Sequence, residues 1–175
     1  MKKIIYIIIF NLIFILSINA KNHNLVQVTE LNKLFDDLSK ISNTQDGDVL
    51  EKKIWAVWNK HPNQKNLTEK LEFGTKLMYQ GQYDYALEVF SNIIETDPEW
   101  SEAWNKRATL LFLMKDYQKS LDDISKVLDL EPRHFGALSG RAQIYIDLEL
   151  YQKALIDLKD ARKIHPVIRG NKLIN

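Results

Sequence analysis

The chain contains no cysteine, which removes a disulfide framework, a thiol nucleophile and a thiolate metal site together. Histidine is scarce: His23, His61, His134 and His165 are scattered and form no ligand-like spacing. Neither sign of charge dominates, with 24 Lys and Arg against 23 Asp and Glu, so nucleic acid has no basic footprint to bind. A glycine-rich phosphate loop, an HExxH, a CxxC and a locally supported Ser/His/Asp set are all missing. The acidic pairs Asp36-Asp37 and Asp122-Asp123 read as solvated helix faces. The expectation is a protein that is not an enzyme and uses no metal and no cofactor.

One long apolar run does occur. Ile4 to Ile18 spans 15 residues, interrupted only by Asn11 and Ser17, behind the positive Lys2-Lys3. It ends at Ser17-Ile18-Asn19-Ala20, with a small residue before polar Lys21-Asn22. That is the layout of a secretory signal peptide over residues 1–20, and the run is short of the roughly 20 apolar residues of a membrane span. Cleavage after Ala20 is expected, retention as an N-terminal anchor being the alternative. No cysteine follows the run for a lipoprotein anchor. Removing residues 1–20 takes away two Lys and no acid, so 22 minus 23 leaves a net charge of −1.

What organises the rest is a period. Pro98, Pro132 and Pro166 are 34 residues apart, and the same shift aligns Tyr83, Tyr117 and Tyr151, and Leu87, Leu121 and Leu155. Gly74, Ala108 and Ala142 form one small position, and Ala86, Ser120 and Ala154 another. Phe90, Ile124 and Leu158 keep a third large and apolar. A fixed period of this length means stacked helix–turn–helix units. Small residues let the two helices of a unit approach, large ones fill the space between them, and proline stops the second helix.

With units starting at Leu67, Ser101 and Phe135, the pattern resembles the tetratricopeptide (TPR) family. Phe73-Gly74, Leu77, Ala86, Phe90 and Pro98 carry the likeness in the first unit, where Lys70 replaces the usual Trp. Trp104, Ala108, Leu111, Ser120, Ile124 and Pro132 carry it in the second. Ala142, Tyr145, Ala154, Leu158, Ala161 and Pro166 carry it in the third. Arg107 and Arg141 stand where Leu is usual. The resemblance implies an all-α fold: an α-solenoid of three TPR units over 67–166 (67–100, 101–134 and 135–168), with a C-terminal tail at 167–175. The stretches Glu102-Ala103-Trp104-Asn105-Lys106-Arg107-Ala108-Thr109 and Glu131-Pro132-Arg133-His134-Phe135-Gly136-Ala137-Leu138-Ser139-Gly140 are similar to a group of small exported bacterial TPR proteins. That likeness implies export, to the bacterial periplasm, more than it implies a mechanism.

Residues 21–66 read as an N-terminal helical hairpin. Leu25, Val28, Leu31, Leu34, Phe35, Leu38 and Ile41 are spaced for one amphipathic helix. Ser42 to Asp48 is a polar break, and a second helix runs from about Asp48 to Lys60 with Ile54, Trp55, Val57 and Trp58 on its apolar face. Lys40 and Lys52 fall where the repeats keep small residues, so this is not a fourth unit. It is expected to cap the open face of the first one; a partner surface built on Trp55 and Trp58 is the alternative.

TPR stacks present the first helix of each unit to a concave face. The family's clamp for a peptide carboxylate uses Lys, Asn and Arg at positions that hold Leu71, Thr75, Lys106, Gly136 and Gly140 here, so that specificity is not implied. Two glycines one helical turn apart, Gly136 and Gly140, are unexpected inside a helix, where each costs about 1 kcal/mol relative to alanine. They either permit tight packing within the chain or admit a partner's backbone. The candidate peptide groove comprises Asn105, Arg107, Thr109, Gly136, Ser139, Gly140 and Gln143. Arg107 and Arg141 either lay their stems across the core edge and pair with an acid such as Glu102, Asp123 or Asp147, or supply an anion site. The functional expectation is an exported, non-catalytic scaffold that binds a protein or peptide partner. The alternative is a homo-oligomerising module using an apolar flank of the last helix (Leu155, Ile156, Ile164). Neither needs nucleic acid, or a membrane beyond the signal segment.

Overall fold

The computed structural model describes residues 25–168; the expected signal segment at 1–20 and the end of the tail lie outside them. Eight helices and no strand make up the described residues. After α1 through residues 25–39 come α2 (Thr44–Trp58), α3 (Lys65–Tyr79), α4 (Tyr83–Thr96), α5 (Ser101–Leu113), α6 (Tyr117–Leu130), α7 (Phe135–Asp147) and α8 (Tyr151–Ile164). From α3 onward they pair as α3 with α4, α5 with α6 and α7 with α8. Successive pairs stack through α4 on α5 and α6 on α7. This is the all-α solenoid that the period implies.

Within a unit the turn between helices is the same device three times. Gly81, Lys115 and Glu149 adopt left-handed φ of 74°, 62° and 60°. The next residue's N–H reaches back to the helix: Gln82 to Leu77 O (3.0 Å), Asp116 to Leu111 O (2.9 Å) and Leu150 to Tyr145 O (2.7 Å). That is a Schellman end, satisfying carbonyls that the helix leaves open. Only the first of these turns uses the glycine that suits it.

Packing explains the small positions. A Cβ on Gly74 would lie 2.7 Å from Phe90, so the bulkiest residue of that position requires the smallest opposite it. Ile124 and Leu158 leave room for Ala108 and Ala142, both buried. Ser120, fully buried, donates its hydroxyl to Ala108 O at 2.8 Å. The arginine position resolves likewise: Arg107 pairs with Asp123 and Arg141 with Asp157, each bidentate at 2.7–2.8 Å. Asp157 is a partner that the sequence reading did not name.

The hairpin of α1 and α2 sits elsewhere than expected. The polar break is shorter, because Asn43 caps α2 by accepting the Asp46 N–H and the helix runs straight through Gly47. That glycine is buried against His165 and Val167. The first unit's core of Leu67, Leu71, Phe90, Ile93 and Trp100 contains no residue of α1 or α2. Instead Leu34, Phe35, Leu38, Ile54 and Trp58 share a core with Phe135, Leu138, Ala161 and Ile164. The hairpin therefore covers the edge formed by the turns between units, and no described residue covers the open face of the first unit. The reason is apolar surface: Trp100, Phe135 and Ile164 project from those turns and need cover.

Polar latches fix the seam. Trp100 donates its indole N–H to Trp58 O at 3.0 Å. Arg133 lies 4.4 Å over Phe35 and donates to Asn32 at 2.8 Å. Trp58 stacks flat on His134, centroids 4.0 Å apart and planes within 5°. Replacing Trp58 with alanine should lower the unfolding free energy by about 3–5 kcal/mol, measured by urea denaturation. It should also increase amide exchange through α1 and α2 before the rest of the chain.

Candidate functional site

The concave side between α5 and α7 brings five of the seven sequence-derived groove residues together. Asn105, Thr109, Gly136, Gly140 and Gln143 ring a depression of about 200 Å³. Its floor is apolar, formed by Ala108, Ile124, Ala137 and Ile144, with Phe112 at one side. The two side-chain amides turn their nitrogens to the chain's own acids. Asn105 Nδ2 donates to Glu102 at 3.2 Å, and Gln143 Nε2 donates to Asp147 at 2.9 Å. Thr109 donates its hydroxyl to Asn105 O at 2.9 Å. What the rim keeps for a visitor is therefore acceptor capacity, suited to the N–H groups of an extended backbone.

The two glycines separate. A Cβ on Gly140 would meet nothing within 4 Å, so its absence keeps the depression open and is not required by the fold. A Cβ on Gly136 would lie 2.5 Å from the Trp55 ring: the close approach there is made by the chain's own hairpin. Trp55 thereby walls the cavity adjoining the depression at Gly136; the sequence places it outside the groove, only as half of an alternative partner surface with Trp58. Its only signal was the Trp55/Trp58 pair itself. Ser139 lies on the far side of Gly136, in an adjoining cavity of about 430 Å³ lined by Lys52, Trp55 and Phe135. Its hydroxyl is buried with no partner among the described residues.

Arg107 is not in the depression. Its guanidinium is held by Asp123, donates to Ser91 at 3.1 Å and stacks 5.0 Å from the Trp104 ring. It belongs to the joint between the first two units, and Arg141 is equally occupied by Asp157. The acid-pairing reading fits both, and neither is free to hold a carboxylate.

Behind the groove lies a buried charge cluster. Glu102 has no exposure and accepts from Lys106 Nζ at 3.0 Å and His134 Nε2 at 3.1 Å. His134 Nδ1 accepts the Ala137 N–H, capping α7, so the ring proton is on Nε2. Lys106 also lies 5.7 Å over Trp55. Burial alone works to raise the Glu102 pKa, but the His134 hydrogen bond and the Lys106 charge outweigh it and hold the carboxyl below its ordinary range. Among the described residues no group of three or more His, Cys, Asp or Glu is placed to hold a metal, and no helix is long and apolar enough to cross a membrane.

No protein-family model matches the chain, and no curated protein matches it. Solved structures do. The first TPR of Spaghetti (RPAP3), bound to the HSP90 peptide SRMEEVD, matches at 23% identity and TM-score 0.55 over 57% of this chain and 79% of that one. The second TPR of the same protein, bound to the same peptide, gives 17%, 0.53, 56% and 91%. The TPR2B domain of yeast Sti1 in its Hsp70 complex gives 19%, 0.57, 63% and 89%. At these identities the likeness shows the fold, and the fold is that of a TPR domain.

Glu102 gives that fold a pH dependence. Its folded pKa lies below the unfolded one, so its stabilisation is complete above the ordinary carboxylate range and is lost as pH falls through the folded value. Urea denaturation across the acid range should show stability dropping in the wild type, with a shallower drop in Glu102→Gln.

Proposed function

We propose that the chain is an exported, non-catalytic TPR scaffold that binds an extended peptide or protein segment in the concave depression between α5 and α7. The observation that carries this reading is Gly140. A residue with helix cost and no packing role in the chain leaves open space above an apolar floor, ringed by backbone-directed acceptors. The TPR domains of RPAP3 and Sti1, solved with HSP90 peptide or in an Hsp70 complex, support a peptide as the kind of partner. They do not supply its sequence. Where the family's clamp would stand, Leu71 is buried, Lys106 is committed to Glu102, and Gly136 lies under Trp55. An apolar side chain in the depression, with its backbone N–H groups on the rim, fits this lining better than an acidic terminus.

Export rests on the Lys2-Lys3, Ile4–Ile18 and Ala20 layout. Self-association through α8 draws less support. Of its expected apolar flank, Ile156 is 60% exposed, but Leu155 is half-buried and Ile164 packs on the hairpin core.

Selection from a random peptide library on the immobilised protein should return sequences sharing an apolar anchor. Gly140→Arg should weaken their binding by at least about tenfold with an unchanged circular dichroism spectrum; unchanged affinity overturns the groove assignment. N-terminal sequencing of the protein recovered from its producing cells should begin at Lys21, in the exported fraction. A chain starting at Met1 in the cytoplasm refutes export.

A further inference from the structure

The shared register allows one position to be compared across the units. At the seventh and twenty-third residues, the second and third units carry the pairs Arg107–Asp123 and Arg141–Asp157. This is the side each unit turns to the one before it, as the Arg107 bond to Ser91 of α4 shows. The first unit has Phe73 and Val89 at those two places. No described residue covers its corresponding side, because the hairpin covers the turns instead. The polarity is the reverse of what solvent exposure favours: charged pairs at the joints of the stack, an apolar pair at its open end. Phe73 is 55% exposed and Tyr85 66%. With Leu77 and Val89 they line a groove of about 520 Å³ between α3 and α4.

We propose that this face is a self-association surface, on which α3 and α4 of a second copy of the chain pack about a two-fold axis. A two-fold contact needs a patch complementary to itself, and the groove carries both signs of charge. Lys70 stands on α3, its one hydrogen-bond partner among the described residues being Asn92 at 2.9 Å. Glu88 stands on α4, exposed and unpaired among the described residues. A two-fold axis along the groove sets Lys70 of each copy against Glu88 of the other, closing the apolar floor between them. The competing occupant, α8 of a second copy stacked head to tail, is disfavoured by charge. Register places Lys159 and Arg162 where Ser91 and Ile94 meet the second unit, and Lys70 where Trp104 meets the first. Like charges then face each other at an apolar joint.

Sedimentation equilibrium of the mature chain, residues 21–175, over a concentration series should show a monomer–dimer equilibrium with no larger species. The double variant Phe73→Arg with Val89→Asp installs the pair that the other two units already fold with. It should raise the dimer dissociation constant at least about tenfold, with an unchanged circular dichroism spectrum. Lys70→Glu and Glu88→Lys should each weaken the dimer, and the two together should restore it. A wild type that stays monomeric, a dimer indifferent to the Phe73/Val89 change, growth into open chains, or a charge swap that fails to restore association would each overturn the proposal. Gly140→Arg should leave the dimer unchanged, which separates this surface from the peptide groove.

Discussion

A carboxylate with no exposure to water sits where three parts of the molecule meet. Glu102 belongs to α5, its partner His134 caps α7, and the ring stacked on His134 is Trp58 of the hairpin. Removing a carboxylate from water costs several kcal/mol unless its lone pairs are met, and here they are met by Lys106, His134 and Asn105. The set works only with the Nε2–H tautomer of His134, which the cap to Ala137 selects. The angle between the second and third units, the seating of the hairpin and the back wall of the groove are therefore fixed by one polar cluster. A change to any member moves all three.

The same kind of contact recurs at the other turns. His61 pairs with Asp97 at 2.7 Å and packs edge-on against Trp100; His165 pairs with Glu51 at 3.1 Å and packs edge-on against Phe135. Three of the four histidines are thus buried at the line where the hairpin region meets the turns. A repeat array normally couples only neighbouring units. Here Glu51 with His165, and Asn32 with Arg133, bridge 114 and 101 residues. The hairpin converts a short solenoid, whose ends would fray, into a body whose last unit is tied to its first helices. Three units whose first face no described residue covers need that tie, since stacking alone leaves the outer helices half covered.

The period made the fold legible because packing inside a unit is local: positions 12 to 16 residues apart, such as Gly74 and Phe90 or Ala108 and Ser120, decide whether two helices fit. Asn105, Thr109, Gly140 and Gln143 were legible through the TPR resemblance, which implies which register positions of each first helix share one face. What did not show were contacts with no periodic image. Nothing local in Trp55 points to Gly136, and nothing in Trp58 points to His134, so the seat of the hairpin was assigned to the wrong surface. Closeness in sequence to Asn105 and Lys106 associates Arg107 with the groove. On a helix, however, a residue two positions from Asn105 faces away from it, and Asp123, one helix later, claims it.

Gly136 and Gly140 looked equivalent in sequence, and their difference bears most on function. Each removes a side chain from the same face of α7, yet the space at one is filled by Trp55 and at the other by nothing. If both served packing alone, alanine would suit position 140 and improve the helix by about 1 kcal/mol. If both served a partner, Trp55 would not cover the first. The chain instead spends one glycine to bring its own aromatic wall over the concave face and one to leave a depression beside that wall. Gly136 borders both that depression and the neighbouring cavity walled by Trp55. The hairpin thus shapes the groove as well as securing the stack, and a hairpin shifted by loss of the Glu102–His134–Trp58 seam alters the groove without any change to the residues that line it.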